Sequence, residues 1–182
     1  NELAAMIDHL GGNAAAMGQT FTKVAGMSIS ETGAAMTRLV GVADALGVPF
    51  AQISDDVQAM GPLFAKFGDE ALEVFVDLQA ASKATGLSME ELTAVVSKFD
   101  EFENAAEAAG RLNAVLGGNV IDPYTLMVGD EGERIALLQD ALARSGRVFE
   151  NFNRDQKIEL AHSIGASLDA TAQLFGSAQA EM

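Results

Sequence analysis

The chain contains no cysteine, which excludes disulfides and thiolate metal sites. It has no tryptophan, one tyrosine and three prolines in 182 residues. Aromatics make up only 6%, too few for the β-branched and aromatic composition that sheets favour. Cations are scarce as well: eleven Lys and Arg stand singly among twenty-six Asp and Glu, giving a net charge of −15. Non-specific affinity for duplex DNA comes from cations that displace counterions, so no specific nucleic acid is expected as a partner. Anionic membrane surfaces are disfavoured for the same reason. No apolar run of about 18 residues is present, and no secretory leader pattern opens the chain. Because the first residue is Asn1, we expect a fragment, or the ordered part, of something longer.

What is present is a hydrophobic fraction of 49%, much of it alanine, with ten phenylalanines. Leu, Val, Ile, Phe and Met on an alanine-rich background suit packed helices, in one sizeable domain or two small ones. The fold class expected is all-α and multi-helical. Short helices are joined by turns signalled by Gly, Asp and Pro, in a folded or elongated module that is oligomeric in assembly. A single rod of this length would span about 270 Å at 1.5 Å per residue, and the frequent glycine stops argue against one.

The organisation expected is a Gly/Ala-rich helical segment over 1–50, a helical module over 51–176 and a frayed tail over 177–182. Asn1 to Leu10 reads as a short helix stopped by Gly11-Gly12. A second helix begins near Asn13, and a third starts at Ser30 and runs to Leu46, closed by Gly47 and Pro49. Residues 13–52 carry few charges (Lys23, Glu31, Arg38, Asp44). They read either as a Gly/Ala-rich helical region that packs closely on its neighbours or as a segment that can enter a membrane, and the Ser, Thr and Gly that interrupt the run favour the first. Ser54-Asp55-Asp56 lies near a helix start and Gly61-Pro62 marks a break. Phe64, Phe67, Ala71, Val74, Leu78 and Ala81 then share one helical face, with Gly68 splitting the stretch and Gly86 ending it.

Ser88-Met89-Glu90-Glu91 is a capping box. Behind it Leu92, Val95, Phe99, Phe102, Ala106, Ala109, Asn113 and Leu116 step by three and four, a heptad seam ended by Gly117-Gly118. Asn113 falls on an a position, where a buried Asn fixes register and partner number. Two readings stand: a seam that assembles copies of the chain, or the core face of one helix. Farther on, Asp122-Pro123, Asp130 to Glu133 and Asn153 to Gln156 are helix starts. Ile135, Leu138 and Leu142 form a stripe, and Phe152 is placed to staple onto Lys157 or Ile158. Ile158, Ala161 and Ile164 or Leu160 give the inner face of the next helix. Gly165 ends it, and Ser167 caps the last.

Signs of chemistry are few. Glu159 and His162 have the E-x-x-H spacing that puts both on one helical face, yet a di-metal bundle needs a second such pair and His9 supplies none. No phosphate-binding, dinucleotide, zinc-protease or nucleophile-elbow motif occurs. Asp100 to Glu107 lacks the alternating ligands of a calcium loop. The expectation is a non-enzyme without cofactor or metal.

From about Phe64 to Phe175 the order of segments carries a resemblance. AKFGDEALEVFVDLQAASKATGLSMEELTAVVSKFDEFENAAEAAGRLNAVLGG is followed by IDPYTLMVGDEGERIALLQDALARSGRVFENFNRDQKIELAHSIG. This resembles the helical region of tail tape-measure proteins of large tailed phages. In them a KFD-F-AAEAAGKLNA-LG core precedes a methionine-bearing turn, a D-x-x-ER-x-x-LL helix and a G-x-x-F-(D/E) link. The likeness covers about three-fifths of the chain, and its weight lies in the order and spacing of segments. It implies a virion protein, assembled in the host cytoplasm, that occupies the tail tube lumen or the tail tip or hub. Length determination and genome delivery are implied too. The implied partners are other copies and tube, tip or baseplate hub proteins, with membrane contact only during ejection. The chain departs from the family in having no long ruler-like heptad array and no peptidoglycan-cleaving domain. The alternative from the residues alone is a helical adaptor or regulatory module.

Overall fold

The computed structural model describes residues 13–180, and the helix expected over Asn1 to Leu10 lies outside them. Among the described residues there are eleven α-helices and no strand, so the chain is all-α. In order they are α1 (Ala14–Gln19), α2 (Ile29–Leu46), α3 (Phe50–Ala59), α4 (Gly61–Phe67), α5 (Ala71–Thr85) and α6 (Met89–Ser97). These are followed by α7 (Phe102–Leu116), α8 (Pro123–Val128), α9 (Glu131–Arg144), α10 (Arg154–Ile164) and α11 (Leu168–Ala180). They fall into two units, Asn1–Ala80 and Ala81–Met182.

The division comes after Ala80 and not at residue 50, for a packing reason. Phe21, just after α1, meets Phe64 of α4 edge to face at 5.3 Å between ring centroids. Phe64 meets Phe75 of α5 at 5.7 Å. With Met17, Met36, Leu39, Ile53 and Val57 these rings build one core, so residues before and after 50 bury the same apolar surface. A π-helical turn at Thr20–Val24 follows α1, with the Ala25 N–H bonded to the Thr20 carbonyl at 3.0 Å. Among the described residues no helix is long and apolar enough to cross a membrane.

Two start signals sit elsewhere than expected. α2 is capped by Ser28, not Ser30: the Glu31 N–H donates to Ser28 Oγ, and the Ser28 N–H donates to Glu31 Oε2. Ser54-Asp55-Asp56 is interior to α3, which begins at Phe50 directly after Pro49. At the other end α11 runs to Ala180.

In the second unit the capping signals are realised in place. Ser88 with Glu91, Asp130 with Glu133 and Asn153 with Gln156 each form reciprocal boxes, and Asp122 Oδ1 accepts from the Thr125 N–H at 2.8 Å. Each box satisfies two donors that a helix start would otherwise leave unpaired. The core gathers Leu92, Leu112, Leu138, Leu142, Leu160, Ile164 and Leu174, with Phe149 stacked on Phe175 at 6.2 Å. α7 packs against both α8 and α10, and α11 against α9 and α10.

The carboxylates split into two groups by pH response. Bonds from Ser28 and Ser88 hold Glu31 and Glu91 below their ordinary range, and the Thr125 N–H does the same for Asp122. Their contribution is present above the unfolded-state value and is lost as pH falls through the lowered folded value. Asp56 goes the other way: burial raises it above the ordinary 3.8, although Gln79 Nε2 donates to its Oδ2 at 2.6 Å. A raised carboxyl favours the folded state while protonated, and that contribution is lost as pH rises through its folded value. Asp56→Asn is therefore expected to raise the neutral-pH thermal midpoint. The gain stays below about 1 kcal/mol, because the carboxylate is partly screened by solvent. A lower midpoint for Asp56→Asn at pH 7 would show that the charge, not the hydrogen bond, is the useful feature.

Candidate functional site

The eight residues of the heptad pattern do not lie on one helix. α6 ends at Ser97, a 3-10 turn spans Lys98–Asp100, and Glu101 is extended at φ −106°, ψ 136° before α7 begins. Leu92, Val95 and Phe99 are buried ahead of the break, and Ala109 and Leu116 behind it. Ala106 is half-buried, and Phe102 is 55% exposed. After the break Ala105, Ala108, Ala109, Leu112 and Leu116 of α7 face the core, a stripe that shares Ala109 and Leu116 with the heptad count and replaces Phe102, Ala106 and Asn113.

Asn113 has a local task. Its Oδ1 accepts from the Val120 and Ile121 N–H groups, both at 2.9 Å, and its Nδ2 donates to the Ile121 carbonyl at 2.8 Å. Gly117 makes the sharp exit from α7 at φ +85°, a conformation that favours glycine. The asparagine thus staples the loop that this turn creates, and all its bonds are within the chain.

Glu159 and His162 do share a face of α10, and both turn to a cation already there. Arg111 Nη1 donates to Glu159 Oε1 at 3.1 Å and lies 2.9 Å from His162 Nδ1, while Nη2 donates to Glu107 at 2.7 Å. Arginine has no acceptor, so a hydrogen bond at this contact is one in which Nδ1 accepts. Glu107 first, then Glu159, raises the Arg111 guanidinium above its ordinary value. Among the described residues no group of three or more His, Asp or Glu is arranged to hold a metal ion.

The sequence reading missed Arg134. Its side chain is 5% exposed and crosses the second unit's core. Nε donates to the Leu126 carbonyl at 3.0 Å, Nη2 to Met127 at 2.5 Å, and Nη1 to Val96 at 2.9 Å and to Asp100 Oδ1 at 2.7 Å. Those carbonyls belong to the last turns of α6 and α8, where helix ends run short of backbone donors. One guanidinium therefore caps two helix C-termini and pins the 3-10 turn between α6 and α7. The signal was its register: Arg134, Leu138 and Ala141 step by four and three, in line with the buried stripe.

The open surfaces are apolar grooves. One, about 540 Å³, runs along Thr125, Val128, Gly129, Ala136 and Leu137, with Glu133 and Asp140 at its edges. Another, about 410 Å³, has Phe149, Leu168 and Ala172 as its apolar wall and Arg154 and Lys157 as its charged lining. These surfaces suit contact with other proteins. No family model, curated protein or solved structure matches this chain.

Proposed function

We propose that this chain is a structural module of a phage tail, part of a tape-measure protein housed in the tail tube or at the tail tip or hub. In this reading it acts in tail assembly, length determination and genome delivery, and not as an enzyme. The observation that carries the reading is the ordered likeness over residues 64–175, from the KFD core through the ER-bearing helix to the FENF link. Two features of the fold support it. The residues that make up the likeness include the structural node Arg134 and the loop staple Asn113, so the matched pattern coincides with what holds the second unit together. Apolar grooves on the second unit offer surface to neighbouring proteins.

The partners in this reading are tube, tip or baseplate hub proteins and further copies of the chain. Immunodetection across a density gradient of lysed, infected cells tests it. Co-sedimentation with intact tails is expected, and recovery only among unassembled host proteins would sink it. A second reading, a helical adaptor, is favoured by the groove along α8 and α9, whose acidic edges suit a basic amphipathic segment. An adaptor would bind a soluble host protein and be absent from the tail fraction.

A further inference from the structure

We infer that copies of this chain bind head to tail, the Glu101-Phe102-Glu103 corner of one seating in the groove formed by Phe149, Arg154, Lys157, Leu168 and Ala172 of the next. The inference deepens the structural reading above and rests on it for the presence of neighbouring copies.

Phe102 is the one seam residue that the fold turns out to solvent, 55% exposed between two exposed glutamates. A phenylalanine ring left in water forgoes the gain of burying its apolar area, so this corner gains from a partner. The groove is its chemical complement. Its cavity of about 410 Å³ has a phenylalanine and a half-exposed leucine in the wall, and both of its charged lining residues are cations. Arg154 is exposed and makes no ion pair among the described residues. Lys157 rests over the Phe149 ring at 5.2 Å and donates to the Glu150 carbonyl at 3.3 Å. Asp155 and Asp169 are neighbours in sequence but do not line the groove. In a chain of eleven cations and twenty-six acids, two cations framing an apolar cavity are a place where an acidic, phenylalanine-bearing segment is drawn in.

The geometry makes the contact intermolecular. Lys98, just before α7, donates from Nζ to the His162 and Ser163 carbonyls at the end of α10. Arg111, farther along α7, reaches Glu159, and Gly117 at its end lies beside Arg147, ahead of α10. The two helices are therefore antiparallel. Phe102 opens α7 at the C-terminal end of α10, while Arg154 and Lys157 lie at the N-terminal end. Arg154 and Lys157 lie about 12 and 8 Å along α10 from His162 at 1.5 Å per residue, which sets the cations of the groove apart from the corner. A knob and a socket on different parts of the surface give a heterologous contact, which passes from copy to copy and either closes into a ring or runs on as a line.

Sedimentation velocity on the purified chain over a wide concentration range tests this, with two variants. Phe102→Gln removes the knob and keeps the socket. Arg154→Glu with Lys157→Glu reverses the socket and keeps the knob. The parent chain is expected to self-associate and to weaken with salt. Each variant alone is expected to associate about 100-fold more weakly. An equimolar mixture of the two is expected to form a 1:1 pair and nothing larger, because one intact knob and one intact socket remain. Adding Glu101→Lys and Glu103→Lys to the reversed socket is expected to restore association. All substitutions are at exposed or half-exposed positions, and far-UV circular dichroism checks that each variant is folded. A parent chain that stays monomeric, variants that associate like the parent, or a mixture that fails to pair would each overturn the contact. A failed contact with the chain still in tails leaves the tail reading standing, and the converse leaves only the contact.

Discussion

Arg134→Met is expected to destabilise the second unit by about 3–5 kcal/mol, the largest single-residue effect in the chain. Methionine fills much of the volume but donates nothing. The carbonyls of Val96, Leu126 and Met127 would then lose their guanidinium donor at the ends of two helices, and Asp100 would lose its ion pair with Arg134. The macrodipoles of α6 and α8 also lose a cation at their negative ends. Arg134→Lys recovers less than half of the loss. A single ammonium cannot reach four acceptors set around a planar fork. Urea unfolding followed by circular dichroism measures this, and a midpoint within about 1 kcal/mol of the parent would mean that water replaces the guanidinium without penalty. Because the node fixes the turn at Lys98–Asp100, the variant should also loosen the corner that presents Phe102.

Asn113→Leu is expected to cost about 2–3 kcal/mol and to leave the copy number unchanged. A heptad a-position asparagine would behave in the opposite way, with leucine raising stability and altering the number of strands. The three bonds from Asn113 to the backbone at Val120 and Ile121 decide between these outcomes. Leucine would take the Asn113 partner from the Ile121 N–H and carbonyl, while the Val120 N–H keeps the Gly118 carbonyl at 3.0 Å. Asn113→Asp should lie between the two, since it keeps the acceptor oxygen and loses the donor to Ile121. Light scattering beside thermal unfolding separates the cases. A change in mass with stability retained would move the seam back between chains.

Local signals were legible because they act over one helical turn. Ser88 with Glu91, Asp130 with Glu133 and Asn153 with Gln156 satisfy their own backbone whatever packs around them, so their spacing alone marks the helix starts. The all-α class followed from the same short-range chemistry, joined to few aromatics and frequent helix stops. The heptad count failed for a matching reason. It assumes an unbroken 3.5-residue period, and the extended Glu101 resets the phase, sending Phe102 to solvent and Ala105 to the core.

Composition and motif spacing by themselves determined that this protein is helical, where most of its helices begin, and that no cysteine chemistry is open to it. The tertiary structure decided what only long-range packing can: that Arg134 is a buried cap and not a solvated charge, that Asn113 holds a loop, and that Glu159 and His162 face Arg111. It also decided that residues before and after 50 share one aromatic core. The physical division is one of range. A capping box is solved within four residues, whereas a guanidinium needs acceptors from Val96, Asp100, Leu126 and Met127 brought together before its burial is favourable.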